Sequence, residues 1–246
     1  MVRNPYYPEQ VTRYVLNPSM VDVLVFCTKN PQPMISRLER LSTYDMFWFV
    51  TITPYGREIE PFVPPKEKVI ESFRQLSEMT GREKMSWRYD PVFITEKYSV
   101  DYHIACFAEM TEKLRGYTGQ CVVSFLDLYE KTKRNFREAR GVTRDEQERI
   151  IEAFAGIAEA NGLQVPKKKT AREACSCLLG ADIGVYNTCG HGCLYCYANY
   201  DRKSVEENRK RHDVNSPLLI GHLKETDHVK EAQQKSFKDA QMRLFL

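Results

Sequence analysis

The stretch "CGHGCLYC", running from Cys189 to Cys196, holds three cysteines at C-x3-C-x2-C spacing. Thiolates are soft ligands for iron, zinc and copper. Three of them on one short loop suit three irons of a 4Fe–4S cube and leave the fourth iron open to a small molecule. Gly190 and Gly192, between the first two cysteines, suit a loop that wraps closely. The alternative is zinc, which prefers four closed ligands. Cys193 and Cys196 make one C-x2-C pair, and Cys175, Cys177 or His191 is available to complete a zinc set or a fully ligated cluster. The spacing favours the three-thiolate loop, with Cys189, Cys193 and Cys196 as metal ligands. Of the eight cysteines, Cys27, Cys106 and Cys121 stand alone in apolar stretches and read as core residues.

A second group of polar residues recurs where strand-like runs end. "TKN" carries Lys29 and Asn30, "TPYG" carries Tyr55, "RYD" carries Arg88 and Asp90, and "DLYEK" carries Asp127, Tyr129 and Lys131. In parallel α/β folds such ends gather at one side of the sheet, where function collects. Arg88, with its planar fork for a carboxylate or phosphate, is therefore a candidate catalytic residue together with Asp90 and Asp127. These groups are expected to face the same side as Cys193. The plainer reading is that they are loop polar groups and surface ion pairs.

Strand–helix alternation must position these residues. "VDVLVF", "MFWFVTIT", "KMSWRYDP" and "CVVSFLDLY" read as strands, "LQV" as a short one, and "ADIGVY" as the strand that delivers the cysteine loop. Helical spacing follows in "PMISRLERL", in the segment Pro64 to Thr80 before Gly81, and in a helix capped by Asp101 with Ile104, Phe107, Met110 and Leu114 on one face. "TRDE", Thr143 to Glu146, is a capping box opening a helix with Ile150, Ile151, Phe154 and Ile157. Alternation of this kind predicts an α/β fold with parallel strands. The six candidate strands fall short of a closed eight-stranded barrel, so the expected architecture is a partial or permuted TIM-like (β/α) barrel. No G-x-G-x-x-G follows a strand, which removes support for a dinucleotide site. Residues 1–166 form the expected barrel body, 167–200 the linker, last strand and cysteine loop, and 201–246 a helix and tail.

Bulk properties narrow the rest. The chain has 246 residues, 42% hydrophobic and 28% charged, as in ordinary globular proteins. A net charge of +3 is too small to argue for nucleic acid, and no apolar run approaches a membrane span. "MVRNPYYPEQ" lacks a secretory apolar segment, so the expected setting is cytoplasmic, where clustered thiols point to metal or catalysis rather than disulfides.

The cysteine loop, with aromatic Tyr195 before its last cysteine, resembles the signature of the radical S-adenosylmethionine superfamily. "HGCLYCYANY" is also similar to the motif region of spore photoproduct lyase, the sole hint of a nucleic-acid repair role. The wider chain resembles the bacterial domain-of-unknown-function 1848 family through "VRNPYYPEQV", "TKNPQPM", "TITPYGREIEP", "WRYDPVFIT", "VVSFLDLYEKTKRN" and "DIGVYNTCGHGCLYCYANY". The resemblance implies a 4Fe–4S cluster on Cys189, Cys193 and Cys196, S-adenosylmethionine as cosubstrate, Tyr195 as a cofactor contact, and an electron donor as partner. It does not imply a substrate. The chain departs from that pattern in a short segment between Val165 and Cys175, in Cys27 where tryptophan is common, and in lacking a "GGE"-like segment. The reading carried forward is an iron–sulfur protein of radical S-adenosylmethionine type, with a non-enzymatic zinc or iron–sulfur module as the alternative.

Overall fold

The computed structural model describes residues 1–128, 130–164 and 180–236. Cys175, Cys177, Tyr129 and most of the basic linker therefore lie outside the described residues.

Four strands build the central sheet: β3 (Leu24–Thr28), β4 (Met46–Thr51), β5 (Met85–Val92) and β6 (Cys121–Phe125). All pair in parallel and lie side by side in chain order. The protein is thus a mixed α/β molecule with an all-parallel sheet. β1 (Val2–Arg3) and β2 (Gln10–Arg13) pair antiparallel, and β2 also pairs in parallel with β7 (His228–Glu231) in a separate small sheet. The C-terminal segment is thereby tied to the N-terminal one, and Arg3 and Arg13 pair with Asp227 and Glu231 across that joint.

The helices are α1 (Gln32–Ile35), α2 (Lys66–Thr80), α3 (Val100–Leu114), α4 (Glu130–Asn135), α5 (Arg144–Ala160) and α6 (Arg202–Lys210). "PMISRLERL" forms only the short α1 and a 3-10 turn over Leu38–Leu41. α2 closes at Gly81, whose φ of 98° is open to glycine at low cost. α3 is capped by Ser99 rather than Asp101: the Ser99 hydroxyl accepts the Tyr102 N–H at 3.2 Å, and Asp101 instead pairs with Arg149. The Thr143–Glu146 capping box is present as the motif predicts.

Strand periodicity decides which face meets the helices. Phe26, Trp48, Val50, Met85, Trp87, Tyr89 and Cys121 belong to the main core, with Phe73 and Leu76 of α2, Phe107 of α3 and Phe154 of α5. Trp87 stacks on Phe107 at 4.9 Å between centroids, and Phe107 on Phe154 at 3.8 Å. Each such buried side chain contributes about 1.5–3 kcal/mol of hydrophobic stabilisation. The alternate residues, among them Cys27, Phe49, Ser86, Arg88 and Asp90, share the opposite face of the sheet by register.

Three further expectations are corrected. Ala181–Tyr186 is not a strand. Its residues are mostly exposed, and the Asp182 carboxylate accepts the Gly184 N–H at 2.8 Å, a local turn that competes with strand pairing. "LQV" contributes a single parallel bridge from Gln164 to Gln120. Without these two strands, no closed barrel forms among the described residues. Cys27 is also not a core residue; it is exposed, whereas Cys121 is buried.

His103 of α3 is fully buried, with Nδ1 2.9 Å from the Tyr89 hydroxyl and Nε2 2.9 Å from the Phe93 carbonyl. A neutral ring with the proton on Nε2 satisfies both, since the carbonyl can only accept. Burial lowers its pKa to about 4, against a small opposing pull from the Phe93 carbonyl. The unfolded chain therefore binds a proton that the folded chain refuses. The resulting stability is complete above pH ~6.5 and falls away as pH drops towards ~4, by about 3 kcal/mol. Denaturation of the parent and of His103→Gln across that interval checks this; equal pH slopes in the two proteins would refute it.

Candidate functional site

Glu60, in the loop between β4 and α2, has a side chain fully withdrawn from solvent. Its Oε1 takes Lys29 Nζ at 2.9 Å and the Thr53 hydroxyl at 2.6 Å, and the Tyr195 hydroxyl also donates to it. Lys66 Nζ donates to Oε2. Lys29 follows β3, Thr53 follows β4, and Lys66 opens α2, so the group sits at the C-terminal ends of adjacent parallel strands. Burial opposes ionisation of Glu60, but Lys29 and Lys66 outweigh it and hold the pKa at about 2. Lys66 is pushed down, because burial and repulsion from Lys29 outweigh the attraction of a carboxylate that it shares. One anion thus stabilises two ammonium groups, each of which keeps some contact with water.

Tyr195 is the link between this group and the cysteine loop. Its ring lies in a second apolar cluster with Tyr55, Ile59, Phe93, Tyr98 and Phe136, against which Cys193 and Leu194 also pack. The Leu194 N–H donates to the Ile59 carbonyl at 3.0 Å, and the Phe62 N–H to the His191 carbonyl at 3.1 Å. The loop is closed at its base, where the Asn187 N–H meets the Ala198 carbonyl at 3.0 Å and Asn199 Nδ2 meets the Cys189 carbonyl at 2.7 Å. Gly192 has a φ of 68°, and a Cβ there would meet the Phe62 ring at 3.0 Å. This glycine serves the docking of the loop onto Phe62.

The three thiols differ in setting. Cys189 is exposed, with Sγ 3.3 Å from His191 Nδ1, while Cys193 and Cys196 are half-buried. None is in a disulfide. Burial pushes the Cys193 thiol up to about 12; Lys29 pulls it down and Glu60 adds to the rise. Burial and then Lys29 lower the His191 imidazole. Three soft donors on one anchored loop fit a thiolate-bound metal in donor type and spacing. Their side chains are not gathered: among the described residues no three His, Cys, Asp or Glu groups converge as a metal-binding set.

Arg88 and Asp90 take another position. They lie on the sheet face opposite the helices, where the Arg88 cation lies over the Phe49 ring, 4.7 Å from its centroid, and Asp90 accepts the Ser124 hydroxyl. They do not pair with each other. Asp127 is exposed beyond the end of β6. Glu60 and Lys66 escaped the sequence reading because neither ends a strand. The signal present in the sequence was "REIEPF" within an otherwise apolar stretch before α2.

Replacing Glu60 by Ala leaves Lys29, Lys66, Thr53 and Tyr195 without their shared acceptor. Breaking a buried ion pair from one side costs about 3–5 kcal/mol. Chemical denaturation is expected to show a loss of that size, with faster alkylation of Cys193 under native conditions. A loss under about 1 kcal/mol, typical of an exposed pair, would refute the anchoring role.

No match was found among curated proteins or among solved structures. A family described as a domain of unknown function, DUF1848, matches residues 1–167 and 164–198, which takes in both the parallel sheet and the cysteine loop. With most of its length matched, the chain belongs to the DUF1848 family.

Proposed function

We propose that the loop Cys189–Cys196 is a thiolate metal centre of radical S-adenosylmethionine type, seated at the mouth of an incomplete parallel β/α barrel. The observation that carries this reading is the docking of the loop. Tyr195 donates to Glu60, and Leu194 to the Ile59 carbonyl, beside the C-terminal ends of β3 and β4. Ligand sites of parallel sheets collect at that end. Cys189, Cys193 and Cys196 would hold a 4Fe–4S cluster, which supplies one-electron chemistry when bound.

The chain's own contribution is positional. Tyr195 and Glu60 fix the loop, and the second apolar cluster shields the Cys193 side from water. Lys29 and Lys66 place two ammonium groups beside Glu60 and Cys193. Lys29 pulls the Cys193 thiol towards thiolate, against the burial and the Glu60 charge that raise it. S-adenosylmethionine is the proposed cosubstrate, an external reductant the proposed partner, and the substrate is open.

Protein purified without oxygen is expected to carry iron and sulfide, and the triple variant Cys189→Ala/Cys193→Ala/Cys196→Ala to lose most of both. Colourless protein with stoichiometric zinc would favour the non-enzymatic module. Adding S-adenosylmethionine to the reduced protein is expected to change its electron paramagnetic resonance spectrum, as an open iron requires. An unchanged spectrum, with cluster loss in Cys175→Ser/Cys177→Ser, would instead indicate a closed cluster.

A further inference from the structure

Among the described residues, the buried Nε of Arg88 has no acceptor, and no carboxylate forms an ion pair with its guanidinium; the cation lies over the Phe49 ring instead. Two residues earlier on the same strand and face, the Ser86 hydroxyl is fully buried and also unpartnered. Orphaned polar groups of this kind are uncommon in folded proteins and call for an explanation. Two of them, adjacent on one face of β5, point to a single missing acceptor.

The nearby carboxylates do not fill that role. Asp90 accepts from the Ser124 hydroxyl, and Asp182 from the Gly184 N–H. Both act electrostatically on the Cys27 thiol, as does Arg88, so the four groups are neighbours; even so, the bonds of these two acids go to Ser124 and Gly184 and not to the guanidinium. The cation–π contact with Phe49 holds the guanidinium in place without using its N–H donors, which stay available for a ligand. A guanidinium edge matches a carboxylate or phosphate through two parallel N–H donors. The missing partner is a hydrogen-bond acceptor, since a guanidinium has donors and no acceptor, and the fixed positive charge favours an acceptor that is itself anionic.

We infer that the face of the sheet opposite the helices carries an oxyanion site. Arg88 is its anchor, Phe49 the platform under the guanidinium, and Ser86 a second donor. The ligand bears a carboxylate or phosphate group. The site stands on β4 and β5 alone and does not depend on the cysteine loop holding a metal.

Inorganic phosphate and acetate serve as probes, with sodium chloride as the ionic-strength control. The Arg88 Nε–H resonance, identified by its absence from Arg88→Met, is expected to shift saturably with one of the two anions and not with chloride. Which anion acts tells phosphate from carboxylate. Arg88→Lys keeps the charge but loses the fork, and is expected to bind at least several-fold more weakly. The same anion is expected to slow alkylation of Cys27 in the parent protein, read by peptide mass. That second measurement holds if Arg88→Met fails to fold. Shifts that track chloride equally, or Cys27 alkylation unchanged by either anion, would overturn the assignment and leave Arg88 solvated by water.

Discussion

The buried carboxylate of Glu60 is the interaction on which the rest of this site depends. A lone carboxylate in such a place would be neutral, because burial penalises its charge. Here two lysines and two hydroxyls surround it, and the charged form prevails. The partners come from four separate parts of the chain: the end of β3, the end of β4, the start of α2 and the cysteine loop. One oxygen pair thus fixes the relative position of segments that are far apart in sequence. Buried ion groups of this kind add little net stability compared with apolar packing, but leaving one member unpaired is costly. The arrangement therefore specifies one geometry more than it strengthens the fold.

Two faces of the sheet divide the labour. The helix-covered face is aromatic and closely packed, with Trp48, Trp87, Tyr89, Phe107 and Phe154 in contact. It provides rigidity. The other face mixes Phe49 with Arg88, Asp90 and Ser86, residues that a purely structural surface has no need to place together. Between the faces, at the strand ends, the second apolar cluster binds Tyr195 and carries the cysteine loop. His103 connects the layers: it belongs to α3, bonds Tyr89 on β5, and holds the Phe93 carbonyl just past the strand.

The sequence by itself determined most of the parallel sheet and its helices. Apolar runs such as "MFWFVT" and helical runs such as "KEKVIESFRQLSEMT" announce their elements because a strand covered on both faces reads as a continuous apolar run and a helix as an apolar stripe. The capping box of α5 and the glycine stop of α2 were legible for the same reason: each is decided within four residues. The three cysteines were legible as candidate ligands because spacing on one loop is a local property.

Only the tertiary structure decided the remainder. Ala181–Tyr186 has the composition of a strand, but an aspartate turn and solvent contact leave it without a neighbour to pair with. A strand exists only where another strand supplies its hydrogen bonds. Cys27 looked like a core residue among apolar neighbours, yet alternation placed it on the opposite face. Tyr195 stood out in the sequence because it precedes Cys196; that its hydroxyl donates to Glu60, 135 positions away in sequence, is visible only in the fold. Glu60 stood inside "TITPYGREIEP" with no role assigned to it, and Lys66 carried no motif. Their meaning comes from two lysines meeting a carboxylate withdrawn from solvent, and sequence distance does not encode that meeting.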